Sequence, residues 1–132
     1  MRPIPKFLGL ITVLCLLFAA CLSDDSGTSS HEEDLETLNA LKTEIETLVS
    51  SSVCNDNTEC KYIAFGSKPC GGPWTYLIYS TSIDTDELES KVEQYNQLEA
   101  IFNAQYGAVS DCSVAAEPID VICENNVCVA VY

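Results

Sequence analysis

The chain has 132 residues, a formal net charge of −14 and eight cysteines. This length suits one domain rather than two large ones. Because 20 acidic residues outnumber six lysines and arginines, the negative electrostatic potential of the surface would repel nucleic acid. The acidity would suit a cationic partner or divalent cations, but a surface that only keeps the protein soluble is the simpler interpretation.

The first twenty residues predict a secretory signal peptide that is cleaved after residue 20. Arg2 and Lys6 precede an uncharged, largely apolar run from Phe7 to Ala20. As a helix this run would be roughly 21 Å long, which is shorter than a bilayer core of about 30 Å. A basic start, a short apolar run and small residues at its end are typical of a signal peptide rather than of a membrane span.

The sequence LFAAC at residues 17–21 resembles the lipobox of bacterial lipoprotein precursors. It departs from that pattern at Phe18, where leucine is usual, and Cys15 is a competing position preceded by the bulky Leu14. The resemblance implies that Cys21 becomes the first mature residue and carries a diacylglycerol and an N-acyl chain. Two or more chains hold a protein stably on a membrane, whereas one holds it only marginally. The alternative is ordinary cleavage that leaves a free cysteine.

Residues 21–33 are predicted to form an acidic, lipidated tether, because they begin with a stretch rich in serine, glycine, threonine and aspartate. Asp24 and Asp25 resemble the acidic export signal of surface lipoproteins. An aspartate at position 22 would resemble an inner-membrane retention signal, so Leu22 favours the outer membrane. Cleavage would remove two basic residues and none of the acidic ones, so the net charge would change from −14 to −16. We therefore expect a lipid-anchored protein of the cell envelope, located at the outer membrane.

Residues 34–132 are expected to form a single α+β domain. Apolar residues at helical spacing predict a first helix over residues 31–50. Runs of aromatic and β-branched residues predict strands over residues 60–66 and 74–80. The second of these strands is apolar on both faces, which suits a central strand of a sheet.

A second helix is predicted to extend to Tyr106, with Gly107 as its C′ residue. The Asp84 carboxylate is expected to accept a hydrogen bond from the Glu87 amide, and the Glu87 carboxylate is expected to accept one from the Asp84 amide. A short strand over residues 111–118 should follow, and then a hairpin over residues 119–132 that turns at two asparagines. The predicted fold is a small disulfide-stabilised α+β domain, with two amphipathic helices on a mostly antiparallel sheet of about five strands.

Six cysteines of this domain predict a disulfide framework, since the count is even and the chain is exported. They are Cys54, Cys60, Cys70, Cys112, Cys123 and Cys128. Their spacings do not suit zinc ligands, and no C-x-x-C motif indicates redox activity. The 15 conceivable pairings stay open, but the predicted hairpin places Cys123 opposite Cys128. That geometry predicts a bridge between these two residues.

The segment SKPCGGP between the two predicted strands is the candidate functional loop. Its candidate residues are Lys68, Pro69, Gly71 and Gly72. A lysine in a constrained loop suggests a protease inhibitor that presents Ser67–Cys70. Pro69 counts against this function, because a bond between lysine and proline resists most trypsin-like enzymes. A structural turn between the two strands is the simpler interpretation. A rigid loop of this kind could occupy a protease cleft at little ordering cost.

No catalytic motif is found, so no enzymatic activity, cofactor or metal is expected. The only histidine, His31, lies in the acidic entry segment, and a nucleophilic triad needs a base beside serine or cysteine. The leading hypothesis is a lipid-anchored binding or structural module of the cell envelope. Its partners would be the membrane, through the anchor, and an unidentified envelope component.

The segments CGGP, SDC and the terminal C-x₄-C resemble a small, uncharacterised exported family, over residues 54–132. This resemblance implies a single fold and attaches no function to it.

Overall fold

The structure, a computed structural model, describes residues 29–132. The predicted signal peptide (residues 1–20), the predicted lipidation site Cys21 and residues 22–28 of the predicted tether lie outside this range. The helices are α1 (His31–Ser50) and α2 (Thr85–Tyr106), and the strands are β1 (Cys60–Phe65), β2 (Thr75–Ser80), β3 (Asp120–Glu124) and β4 (Val127–Val131). The α+β class and the two predicted helices are confirmed.

Helix α1 begins with a capping box that the sequence contains but that was not predicted. The Ser30 hydroxyl accepts a hydrogen bond from the Glu33 amide at 3.3 Å, and the Glu33 carboxylate accepts one from the Ser30 amide at 3.4 Å. These bonds satisfy amides that the first turn of a helix leaves without partners. The helix therefore starts at His31, within the predicted tether.

Helix α2 begins and ends where the sequence predicts. The Asp84 carboxylate accepts a hydrogen bond from the Glu87 amide at 3.0 Å, and Gly107 ends the helix at a φ of 62°. Among the described residues, the reciprocal hydrogen bond from the Asp84 amide to the Glu87 carboxylate is not formed. The Glu87 carboxylate lies instead 3.7 Å from the Lys91 ammonium, one turn further along the helix.

The strands form two separate antiparallel hairpins rather than one sheet of about five strands. Strand β1 pairs with β2, and β3 pairs with β4. The predicted strand over residues 111–118 is wrong, because this segment has no strand pairing in the structure. The prediction of β2 as a central strand is also wrong, because β2 pairs with β1 alone.

The first hairpin packs against the helices with one face and contacts the second hairpin with part of the other. Phe65 and Tyr79 are 5% and 2% exposed and pack against the helices. The core they share with α1 and α2 is completed by Leu38, Leu41, Ile45, Leu88, Val92 and Tyr95. Cys60 stands on the opposite face of β1 from Phe65, because side chains alternate along a strand. That face carries the link to the second hairpin.

The second hairpin has the predicted turn and register. Asn125 and Asn126 both have positive φ values, 51° and 66°, as a two-residue type I′ turn requires. Cys123 lies opposite Cys128. The predicted geometry of the hairpin is therefore confirmed, although the bridge inferred from it is not.

All six predicted cysteines form disulfides, in the pairs Cys54–Cys123, Cys60–Cys128 and Cys70–Cys112. The predicted Cys123–Cys128 bridge is wrong. Packing of the second hairpin on the first brings a separate partner to each of these two cysteines. The resulting bonds close loops of 69 and 68 residues, which restrict the unfolded chain more than a bond across the hairpin would.

Candidate functional site

The loop between β1 and β2 is attached to helix α2 through its backbone. The Gly66 amide donates a hydrogen bond to the Asn96 side-chain oxygen at 2.6 Å, and the Ser67 amide donates one to the Glu99 carboxylate. The Asn103 side-chain amide donates one to the Ser67 carbonyl at 2.7 Å. Three side chains of one helix thus fix the start of the loop.

Lys68 is the buried centre of this loop, and its side chain is only 6% exposed. The ammonium donates hydrogen bonds to the Asp111 carboxylate at 3.1 Å and to the carbonyl of Ser113 at 2.7 Å. It also lies 5.0 Å from the centre of the Trp74 ring, within the range of a cation–π contact. The hydrogen bond from Lys68 lowers the pKa of Asp111. Lys68 therefore stabilises the loop and is not presented to solvent.

The tip of the loop is exposed and turns on two glycines. Pro69 and Cys70 are both exposed, and the disulfide from Cys70 to Cys112 ties the tip to the segment before β3. Gly71 and Gly72 have φ values of 92° and 81°, which favour glycine. The tip of the loop therefore turns at these two glycines.

Beside the loop lies a cleft of 310 Å³ that we call the Trp74 cleft. Its aromatic wall is formed by Phe65, Trp74 and Tyr95, and its polar residues include Lys42, Glu46 and Glu99. Trp74 is 43% exposed, so much of its ring faces solvent. The sequence predicts Trp74 on a strand but gives no sign of the cleft, because the walls of the cleft come from three distant segments.

Gly66 allows the Trp74 ring to lie directly against the backbone. A Cβ atom at position 66 would collide with Cδ1 of Trp74, and the φ of Gly66 is 84°. The Trp74 amide donates a hydrogen bond to the Phe65 carbonyl at 3.0 Å. Both the backbone and the ring of Trp74 are thus held at the mouth of the loop.

The carboxylates of the cleft have different roles. Glu99 accepts hydrogen bonds from the Ser67 amide and from the Tyr95 hydroxyl, so both of its oxygens are bound within the fold. Burial, with the nearby Glu99, raises the pKa of Tyr95. Glu46 is 56% exposed and lies 3.9 Å from the Lys42 ammonium. A loose surface pair of this kind contributes little energy and can rearrange around a ligand.

The polar residues that hold the loop share a regular spacing on α2. Asn96, Glu99 and Asn103 stand three and four residues apart on α2, and residues at this spacing share one face of a helix. A polar stripe beside an apolar one could have identified α2 as the support of a loop. No such signal marks Asp111 or Ser113 as partners of Lys68.

Three cysteine sulfurs converge where the two hairpins meet. The Sγ atoms of Cys54, Cys60 and Cys128 all lie within 4.8 Å of one another. Spacing along the sequence did not reveal this convergence. Each of the three sulfurs belongs to a disulfide, whereas a metal is bound by the thiolate form of cysteine.

Within residues 29–132, no helix is long and apolar enough to cross a membrane. Comparison of the chain with protein-family models, with curated proteins and with solved structures gives no match.

Proposed function

We propose that the chain is a lipid-anchored protein of the bacterial cell envelope, attached through Cys21, and that its disulfide-bonded domain is a binding module without catalytic activity. The anchor is supported by the LFAAC sequence at residues 17–21 and by the basic and apolar residues before it. The location that these features favour is the outer membrane. The acidic residues after Cys21 would separate the domain from the lipid surface.

The observation that carries the binding function is the exposed Trp74 ring in a cleft with fixed walls. Aromatic side chains bury a large apolar area on binding. Because the loop is tied to α2 by hydrogen bonds and to residue 112 by a disulfide, a ligand would not have to order it. Preorganisation of this kind reduces the entropic cost of association.

The charge of the protein indicates the chemistry of the ligand. The chain carries a net charge of −14, and Glu46 places an exposed carboxylate at the cleft. A cation flanked by apolar surface can contact a tryptophan ring and a carboxylate together. We therefore favour a partner segment that inserts a lysine or arginine side chain into the Trp74 cleft.

The geometry gives little support to the alternative of a protease inhibitor. The Ser67–Cys70 loop is rigid, as that function needs, but the Lys68 ammonium is bound to Asp111 and Ser113. A trypsin-like protease would have to withdraw this side chain from its partners. The loop exposes Pro69 instead of a basic side chain.

The anchor is tested by the intact mass of the protein extracted from membranes. We expect a chain that starts at Cys21 and is heavier by acyl groups, and we expect the Cys21→Ser variant to leave the membrane fraction. Six alkyl groups should be taken up only after reduction. An unacylated wild-type chain would refute the anchor without affecting the binding proposal.

Binding is tested with short lysine- and arginine-containing peptides and with matched peptides in which glutamine replaces each basic residue. Trp74 is the only tryptophan, so its fluorescence reports on the cleft alone. We expect the basic peptides to shift the emission in a salt-sensitive manner, and we expect Trp74→Ala to abolish the binding heat. Tyr132→Ala, at an exposed aromatic residue, is the control. Equal responses to both sets of peptides would refute a cationic ligand.

A further inference from the structure

Four disulfide sulfurs form a cluster at the contact between the two hairpins. The sulfurs of Cys54, Cys60 and Cys128 lie within 4.8 Å of one another, although they belong to two different disulfides. Cys123 completes the set, because it is bonded to Cys54 and stands opposite Cys128 in the hairpin register. We call these four residues the sulfur cluster.

We propose that the sulfur cluster is a thiol–disulfide exchange site at which a small external thiol rearranges the pairing. The pairs Cys54–Cys123 and Cys60–Cys128 would become Cys54–Cys60 and Cys123–Cys128. In the new pairing the sulfurs of Cys54 and Cys60 start within 4.8 Å of each other. Cys123 and Cys128 occupy a non-hydrogen-bonded position beside a two-residue turn, where Cα atoms lie about 4.5 Å apart and within disulfide range.

The exchange proceeds in three displacements that each form one S–S bond and break one. The external thiolate attacks Sγ of Cys123, forms a mixed disulfide there and releases the Cys54 thiolate. The Cys54 thiolate attacks Sγ of Cys60, which forms Cys54–Cys60 and releases the Cys128 thiolate. The Cys128 thiolate then attacks Sγ of Cys123 and expels the external thiol. The thiol is recovered, and no net oxidation or reduction occurs.

Exposure fixes the order of these displacements. Cys123 is exposed, whereas Cys54 is fully buried, so the external thiol enters at Cys123. The Cys54 amide donates a hydrogen bond to the Asn126 carbonyl at 3.1 Å, which holds Cys54 against the turn of the second hairpin. The released Cys54 thiolate is thus kept beside the second disulfide, and its attack is intramolecular.

The rearrangement changes which parts of the fold are covalently joined. The observed pairs link the second hairpin to β1 and to the segment before it. The alternative pairs link cysteines within each of these parts and leave Cys70–Cys112 as the one disulfide between the first hairpin and the segment that leads into the second. The sulfur cluster would therefore make the attachment of the second hairpin responsive to thiols.

A tryptic digest distinguishes the two pairings. Trypsin cleaves after Lys42, Lys61 and Lys91, so Cys54 and Cys60 fall on the peptide 43–61, and Cys123 and Cys128 fall on 92–132. The mature full-length protein is incubated with cysteamine without denaturant, then quenched with maleimide, unfolded and digested without reduction. We expect free, unlabelled peptide 43–61 at a level at least about tenfold above a thiol-free sample within hours.

The third disulfide provides an internal control. Cys70 and Cys112 lie outside the sulfur cluster and are both exposed, so any Cys70 peptide that cysteamine releases should carry a cysteamine or maleimide label, unlike peptide 43–61. If peptide 43–61 is not released, the proposal is overturned. It is also overturned if peptide 43–61 is released only in labelled form, because cysteamine would then have reduced the disulfides without rearranging them.

A variant tests the central displacement without any external thiol. Cys123→Ser leaves Cys54 as a thiol beside the Cys60–Cys128 bond. We expect the maleimide label, applied after acid quenching and unfolding, to lie on Cys128, because Cys54 displaces it from Cys60. A label confined to Cys54 would contradict the proposal.

Discussion

The ammonium of Lys68 lies 3.1 Å from a carboxylate oxygen of Asp111, 43 residues further along the chain. The pair is asymmetric, because the lysine side chain is 6% exposed and the aspartate side chain is 72% exposed. The carbonyl of Ser113 accepts a second, shorter hydrogen bond from the same ammonium. Through Lys68 the loop between β1 and β2 holds a long segment that has no strand of its own.

Lys68→Ala is expected to lower the free energy of unfolding by about 2 to 3 kcal/mol, because it removes charged hydrogen bonds and the packed stem of the side chain. Asp111→Asn should cost less, since water screens the exposed carboxylate and the Ser113 carbonyl remains. Urea unfolding measures both, with the exposed Lys61→Ala as control. An equal or larger loss in Asp111→Asn would mean that the ion pair, and not the carbonyl contact, dominates.

Acid should destabilise the wild type more than Asp111→Asn. The hydrogen bond from Lys68 lowers the pKa of Asp111 below its ordinary 3.8 in the folded protein. As the pH falls below about 4, the unfolded chain therefore takes up this proton first, and the stabilisation from the folded carboxylate is lost. Urea midpoints from about pH 5 down to pH 2 would show it. Identical slopes for the wild type and Asp111→Asn would contradict the prediction.

Gly66→Ala is expected to displace Trp74, whereas Gly72→Ala is not. Both glycines have a positive φ, 84° and 81°, but a Cβ atom at 66 meets Cδ1 of Trp74 while one at 72 meets open space. Gly72→Ala should therefore cost only the backbone strain, about 1 to 2 kcal/mol, and Gly66→Ala should cost more. Unfolding and the Trp74 emission spectrum separate the two. An unchanged spectrum in Gly66→Ala would show that the ring does not rest on the glycine.

Alkaline pH should destabilise the fold through Tyr79. This residue is 2% exposed, its hydroxyl donates to the Glu89 carboxylate at 3.0 Å, and burial raises its pKa to about 12. Above pH 10 the unfolded chain loses this proton first, so stability present below pH 10 is lost between pH 10 and 12. The loss should reach about 2 to 3 kcal/mol.

Tyr79→Phe is needed to isolate this contribution, because the pKa values of Tyr95 and of other tyrosines are also raised in the folded protein. The difference between wild type and Tyr79→Phe in urea unfolding should narrow above pH 10. A difference that stays constant to pH 12 would mean that Tyr79 ionises equally in both states.

Local sequence patterns predicted the elements of this fold well. Apolar residues at helical spacing located α1, and the cap at Asp84 with Gly107 located both ends of α2. Asn125 and Asn126 located the last turn, because few other residues accept two successive positive φ values. Each of these signals lies within a few residues of the structure it specifies.

The same patterns did not predict how the elements meet. The six cysteines indicated a disulfide framework, but the hairpin geometry alone favoured Cys123–Cys128. The bonds to Cys54 and Cys60 depend on the face of the first hairpin that the second one covers. The burial of Lys68 likewise depends on Asp111 and Ser113, which no local pattern connects to it.

The sequence by itself determined the helices, the hairpin turns and the use of all six cysteines, since these follow from interactions between residues that are near one another in the chain. Only the tertiary structure decided the pairing of the cysteines, the separation of the strands into two hairpins and the walls of the Trp74 cleft. These features bring together segments that lie tens of residues apart. Such contacts depend on which surfaces pack best, and this balance is a property of the whole folded chain.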